Sequence, residues 1–369
     1  MPESISAPPR RVPLLARRYA LEMRQDMPWR AQAVVLGLAI AAGLAISAAI
    51  LIAAGVSARD LVTEFIVNTF FDWESLQAVL FQAAPMMLIG LAACVAFRAR
   101  FWNLGLEGQM IWGAIAATSV SVFEIGPEAW RLPLMLVSAC GAGLMWALPP
   151  VLLRLDLGVS EIISTLMTNY LASNFLLHLV YGSWKDPKDA FPHSPAFRSA
   201  ERLPDIAAGL SSALPLAILV TLAIWWLVDV SRAGLYLKVI YANPRVATAA
   251  GVATRRVMLG AVLLSGALAG LGGFMVAAGQ EGRLTQAFYT GYGFSGILIA
   301  FLARNHPLAA SVVALLVAGL FVTGRSLQVF YQIPFSMVQL IQAILVICVA
   351  ASEFFIRHRL RPVAARTVG

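Results

Sequence analysis

Long apolar runs dominate the chain, and short polar breaks set their lengths. Runs of roughly twenty residues, each able to cross about 30 Å of hydrocarbon as a helix, fall at about 31–55, 77–97, 104–123, 132–153, 159–181, 213–230, 257–279 and 331–351. Two shorter runs lie at 292–303 and 308–323, split by Arg304-Asn305-His306-Pro307. A segment in lipid must satisfy its backbone N–H and C=O groups internally, which a helix does. The pattern predicts an all-α, polytopic membrane protein of about ten transmembrane helices. The stretch 292–323 reads either as two spans or as one span and a re-entrant segment.

Charge adds orientation. Residues 1–30 carry Arg10, Arg11, Arg17, Arg18, Arg24 and Arg30 and read as a basic arm containing a surface helix ended at Pro28. The apolar run that follows is too long for the h-region of a cleavable leader. A transmembrane domain then spans 31–351, and a basic tail of 352–369 carries Arg357, Arg359, Arg361 and Arg366. With loops alternating sides from a cytoplasmic N-terminus, most of the 27 Lys and Arg fall inside. The outer breaks are acidic by comparison: 56–76 holds Asp60, Glu64, Asp72 and Glu74. That asymmetry puts both termini in the cytoplasm. The net charge of +8 is therefore a topology signal and implies no nucleic-acid partner. The longest outer loop, 182–212, mixes both signs around Trp184.

Composition excludes other classes. At 60% hydrophobic and 12% charged residues, the chain is far from a soluble domain. Cys94, Cys140 and Cys348 lie inside apolar runs and read as small core residues. His178, His193, His306 and His358 show no ligand spacing, so no metal site is predicted. No Ser/His/Asp set or paired carboxylates suggest catalysis.

Several polar stretches interrupt the apolar pattern. Phe101 to Met110, FWNLGLEGQM, places Asn103, Glu107 and Gln109 among Gly105 and Gly108 at the start of the third span. A carboxylate at full membrane depth costs roughly 2.5 kcal/mol or more. Glu107 therefore reads either as a charge at the membrane edge near a helix N-terminus or as part of a packed polar hinge beside a substrate path. The fifth span is the most polar, with Glu161, Ser164, Thr165, Thr168, Asn169 and Asn174. The seventh is rich in small residues, Gly260, Gly266, Gly270, Gly272 and Gly273, which let helices approach closely. GLEGQ and GQEGR occupy comparable places in 85–113 and 266–296, compatible with a 5+5 inverted repeat.

The basic break 231–256 has its own structure. Asn243 suits a helix cap and Pro244 a first helical position. Arg245 to Ala250 then make a compact, Ala-faced helix of about two turns, ended near Gly251. Such a helix is a good plug for a groove on a partner; the alternative is a plain basic connector.

These stretches carry a resemblance. FWNLGLEGQMIWGA resembles the FNIGVEGQ-type motif of the branched-chain amino acid/ribose permeases of ABC importers, with Trp102 as a departure. ANPRVATAAGV is similar to that family's coupling segment, and GYGFSGILIAFLARNHPLAA to its late glycine-rich segment. GVSEIISTLMTNYLA resembles the nucleoside and simple-sugar branch most. The similarity runs in order from about residue 80 to 350.

The resemblance implies a multi-pass permease of the bacterial inner membrane. It would pair with a second copy or a homologue and take nucleosides or simple sugars from an external substrate-binding lipoprotein. Asn243, Pro244, Arg245, Ala247, Ala250 and Gly251 would form the segment that docks on ATPase subunits. The chain has no Gly-x-x-x-x-Gly-Lys-Ser/Thr loop, so ATP and magnesium would be used by those subunits, with no cofactor on this chain. Candidate path residues are Asn103, Glu107, Gln109, Thr165, Asn169, Asn174 and Gln280, whose amides and hydroxyls suit sugar hydroxyls or base edges; each also reads as interhelical glue. The competing function is an ion-gradient-driven secondary transporter with Glu107 and Glu161 as ion carriers.

Overall fold

The computed structural model describes residues 18–23, 27–63, 71–207, 210–332 and 334–363. The chain divides into two compact units, residues 1–49 with 343–369, and residues 50–342.

In the first unit, β1 (Arg18–Met23) pairs antiparallel with β4 (His358–Val363), Arg18 opposite Val363. Within the arm expected to hold a surface helix ending at Pro28, residues 1–17 and 24–26 lie outside the described residues, and residues 18–23 form this first strand. Its partner lies more than three hundred residues away, so local periodicity carries no sign of the pairing. Two long apolar helices run across the unit boundary, α1 (Trp29–Ala53) and α13 (Phe335–Arg357). Within the unit, Gly43 lies against Leu345 and Cys348.

The second unit contains α2 (Ala58–Val62), α3 (Trp73–Arg98), α4 (Leu106–Val122), α5 (Glu128–Leu157) and α6 (Glu161–Tyr181). The connection 182–212 follows, with a short hairpin, β2 (Asp205–Ala207) and β3 (Leu210–Ser211). Then come α7 (Ala213–Trp225), α8 (Arg232–Ala242), α9 (Pro244–Ala249), α10 (Thr254–Phe274), α11 (Tyr292–Leu302) and α12 (Pro307–Tyr331). Both α7 and α10 end in π-helical turns, Trp226–Val230 and Met275–Glu281.

Seven of these helices are long and apolar enough to cross a membrane: α1, α3, α5, α7, α10, α12 and α13. The other three expected spans are also helical. α4 and α11 are short, with 17 and 11 residues, and polar residues interrupt α6. The run expected to be short at 308–323 is part of a 25-residue helix. It continues through Arg325 and Gln328, polar residues that end the apolar run in sequence but not the helix.

Two helices form the centre. α3 and α10 are buried over most of their length, and α4 and α5 pack against α10. Glycine makes this possible. A Cβ at Gly270 would stand 2.2 Å from the Ala139 carbonyl, and one at Gly273 2.0 Å from that of Met110. Lipid offers little hydrophobic drive between helices, so such close backbone approach supplies the packing. Of the five small positions expected to do this, Gly260 alone has open space around it.

Candidate functional site

The turn between α3 and α4 is anchored by its first residues. Phe101 is fully buried with Ala147, Val151 and Val262. Trp102 lies between Phe97 and Phe301, ring centroids at 5.2 and 5.8 Å. The next residue turns inward. Asn103 Nδ2 donates to Gln109 Oε1 at 2.9 Å and to Ser265 Oγ at 3.0 Å. Asn103 Oδ1 accepts from Gln109 Nε2 and from the Gly105 N–H, both at 3.1 Å. Ser265 in turn donates to the Ala92 carbonyl at 2.7 Å. This buried chain joins α3, the start of α4 and α10.

A second clamp comes from α6. Asn169 Oδ1 accepts from the Gly108 N–H at 2.8 Å, and its Nδ2 donates to the Leu104 carbonyl at 2.7 Å. The N-cap of α4 is Gly105, which has no side chain to satisfy the first-turn donors. Asn169 supplies that acceptor from a neighbouring helix. Thr165, packed against Gly105, donates to the Glu161 carbonyl of its own helix at 2.6 Å.

Glu107 stands at two helix starts. It lies in the first turn of α4, and its Oε1 accepts from the Gly293 N–H of α11 at 3.3 Å. Both helix N-termini favour a negative group there. Glu161 forms an ion pair with Arg154 at 3.1 Å beside the turn from α5 to α6. Each carboxylate that an ion-carrier reading needs is thus held by a structural partner.

Gln280 lies in the π-helical turn after α10, one residue before its end. Its Nε2 donates to the Phe81 carbonyl at 3.1 Å, and its Oε1 accepts from the Tyr292 hydroxyl at 2.8 Å. That hydroxyl also accepts from Gln82 Nε2 at 2.8 Å. Single π turns inside helices often mark functional positions. Asn174 stands apart on the exposed face of α6, donating to its own Tyr170 carbonyl at 2.7 Å.

The structure thus brings Asn103 with Gln109, Glu107 and Asn169 to the start of α4, and Gln280 to the start of α11. Sequence reasoning missed Ser265, Gln82 and Tyr292. The first two were legible as isolated polar side chains in apolar runs.

At the charged break 231–256, two helices replace the one expected. The added α8 begins at Ser231, whose side chain accepts from the Gly234 N–H. Asn243 then caps α9 through the N–H groups of Arg245 and Val246 at 3.0 and 3.4 Å, with Pro244 at the first position. Ala247 is fully buried, while Arg245, Val246, Ala250 and Gly251 are exposed. Gly251 takes φ +81°, which glycine adopts without strain. Arg100 donates to the Tyr241 and Ala242 carbonyls at 2.9 and 3.3 Å, tying the end of α8 to the end of α3. Arg98 makes a two-pronged pair with Asp229 at 2.9 and 3.3 Å and donates to the Asn305 carbonyl at 2.8 Å. Lys238 lies 3.5 Å from the same carboxylate.

The connection 182–212 is held down at several points. Arg131 meets Glu201 at 2.9 Å, both buried, and Glu201 also accepts from Ser121 at 2.6 Å and the Arg198 N–H at 3.0 Å. Burial raises the Glu201 pKa, but the Ser121, Arg198 and Arg131 donors outweigh it and leave the carboxyl below its ordinary value. Ser194 and Phe197 donate backbone N–H groups to the Leu284 and Gly282 carbonyls at 3.0 and 2.8 Å. Trp184 is buried against Phe123.

Comparison with known proteins agrees with this architecture. The family described as branched-chain amino acid transport system / permease component matches residues 75–350. A glucose ABC transporter permease protein of Haloferax volcanii is 35% identical over 79% of this chain and 80% of its own. A guanosine ABC transporter permease protein of Bacillus subtilis is 31% identical over 87% and 92%. A nucleoside ABC transporter permease protein of Lactococcus lactis subsp. cremoris is 27% identical over 63% and 67%. The chain belongs to the branched-chain amino acid transport system permease family, in the branch of these nucleoside and sugar permeases. It is a multi-pass membrane permease subunit of an ABC transporter, a class that works with ATPase and binding-protein partners. The secondary-transporter reading is set aside on this ground.

Proposed function

We propose that this permease imports nucleosides or related simple sugars, delivered by an extracytoplasmic substrate-binding lipoprotein. A second permease, the same or a homologue, completes the channel. ATPase subunits dock on Asn243, Pro244, Arg245, Ala250 and Gly251, at a cytoplasmic face that also holds both termini, while the buried Ala247 seats α9 on the chain behind it. ATP and magnesium belong to those subunits. The membrane is the inner, plasma membrane of a bacterium.

The observation that carries this reading is the capped helix α9, exposed on one side and tied through α8 and Arg100 to the end of the buried α3. Coupling needs a rigid contact that differs between two states, and this clamp supplies the rigid part. The substrate class draws support from relatives named for glucose, guanosine and nucleosides. In the path, Asn103, Gln109, Thr165 and Asn169 act as its frame. Glu107, Asn174 and Gln280 stand beside the passing solute.

The test is uptake of radiolabelled guanosine in a deletion strain, with competition by free sugars and bases. Complementation by this gene that nucleosides or sugars compete away supports the reading. Restored uptake of neither class overturns it.

A further inference from the structure

A cavity of about 310 Å³ opens between the 281–292 connection and α12. That volume lies at the small end of pockets that hold a single small molecule. Its floor is aromatic: Phe288, Tyr292 and Phe321 are all buried, and Tyr292 lies 5.9 Å from Phe321 between ring centroids. The floor is preorganised, because the Tyr292 hydroxyl is fixed between Gln82 and Gln280. Thr285 and Thr290 line the wall. At the rim stand Glu281 and Arg325, one of each charge. Among the described residues, neither of these two side chains makes a hydrogen bond or an ion pair.

We propose that this cavity is a binding subsite for a small ring bearing adjacent hydroxyls, the chemistry shared by a monosaccharide and the ribose of a nucleoside. This rests on the import reading above. A carboxylate accepts two hydroxyl donors, and a guanidinium offers a fork of N–H donors to neighbouring oxygens. Together they match a pair of adjacent hydroxyls and leave no net charge. The aromatic floor receives the apolar face of the ring. An inorganic anion would use Arg325 and be repelled by Glu281. An apolar solute would leave both charged groups unused. The site also sits on a mechanical element: Tyr292 opens α11, and the next residue, Gly293, donates to Glu107 at the start of α4. A ring seated on the floor therefore presses on the helix that meets the α3–α4 turn.

The experiment places a cysteine in the cavity, Ala287→Cys, in the permease assembled with its ATPase in proteoliposomes. A membrane-impermeant maleimide reports its accessibility, with guanosine, ribose or glucose added in separate arms. A solute at twice its dissociation constant occupies about two-thirds of the sites, so labelling slows about threefold. The proposal expects that protection from at least one of these solutes. Labelling of Phe191→Cys, on the exposed outer connection, stays unchanged. Adding Arg325→Ala removes the protection. The arm that protects identifies ribose or hexose chemistry. Equal labelling in every arm, or protection that survives Arg325→Ala, overturns the subsite. If Ala287→Cys abolishes uptake, Thr285→Cys serves as reporter under the same criteria. Uptake with the binding protein present separates the failures. Transport without protection sinks the cavity alone, whereas absence of transport for all three solutes sinks the import reading with it.

Discussion

Asn103 spends its whole hydrogen-bonding capacity inside the protein. Four bonds hold it to Gln109, Ser265 and the Gly105 N–H, so its role is to fasten α4 against α10. Asn103→Leu leaves buried polar partners unmatched and costs roughly 1–3 kcal/mol for each group left unsatisfied. The expected outcome is a clearly lower melting temperature in detergent. Asn174→Ala, which removes one bond on an exposed helix face, shifts stability by no more than about 0.5 kcal/mol. At Glu107, Glu107→Gln keeps an acceptor for the Gly293 N–H, so ATP-driven uptake persists; loss of uptake in a folded variant marks the charge itself as essential. Glu201 makes a pH prediction. Its carboxyl lies below the ordinary value of 4.5 in the folded state. Its contribution to holding 182–212 is therefore complete above that value and lost as pH falls through the depressed one. Limited proteolysis of the connection against pH checks this: cleavage rises in acid, and Glu201→Gln removes that dependence.

At the scale of elements, the docking segment works only if α9 moves with the helices behind it. Inserting a flexible Gly-Ser linker after Val246 abolishes substrate-stimulated ATPase while membrane insertion stays intact. Unchanged transport in that variant contradicts the docking role. At the centre, Gly270→Leu drives a side chain into the Ala139 carbonyl and separates α10 from α5. Its expected outcome is loss of the folded protein, measured by fluorescence size-exclusion chromatography. Much of this was readable from sequence because the signals are local. Asn243-Pro244 marked the start of α9, and the glycines of 266–273 marked a close contact. Other features were not local. The strand at 18–23 depends on a partner at 358–363. The Asn169 clamp depends on α6 approaching Gly108. α8 was hidden because its charges read as a plain connector. The seven path candidates were found as polar residues in or beside apolar runs, but sequence could not say which had their bonds already made.

For the whole molecule, the claim is an ATP-driven gate whose motor lies on other chains. The orientation proposed from the charge asymmetry rests on the entire sequence, and reporter fusions at each end test it: cytoplasmic reporters are expected to be active at both termini, periplasmic ones at neither. The most direct measurement reconstitutes the permease in vesicles, alone and with its ATPase and binding protein, and follows labelled guanosine. The account predicts accumulation only in the complete assembly with ATP. Accumulation by the permease alone, driven by a proton or sodium gradient, contradicts it.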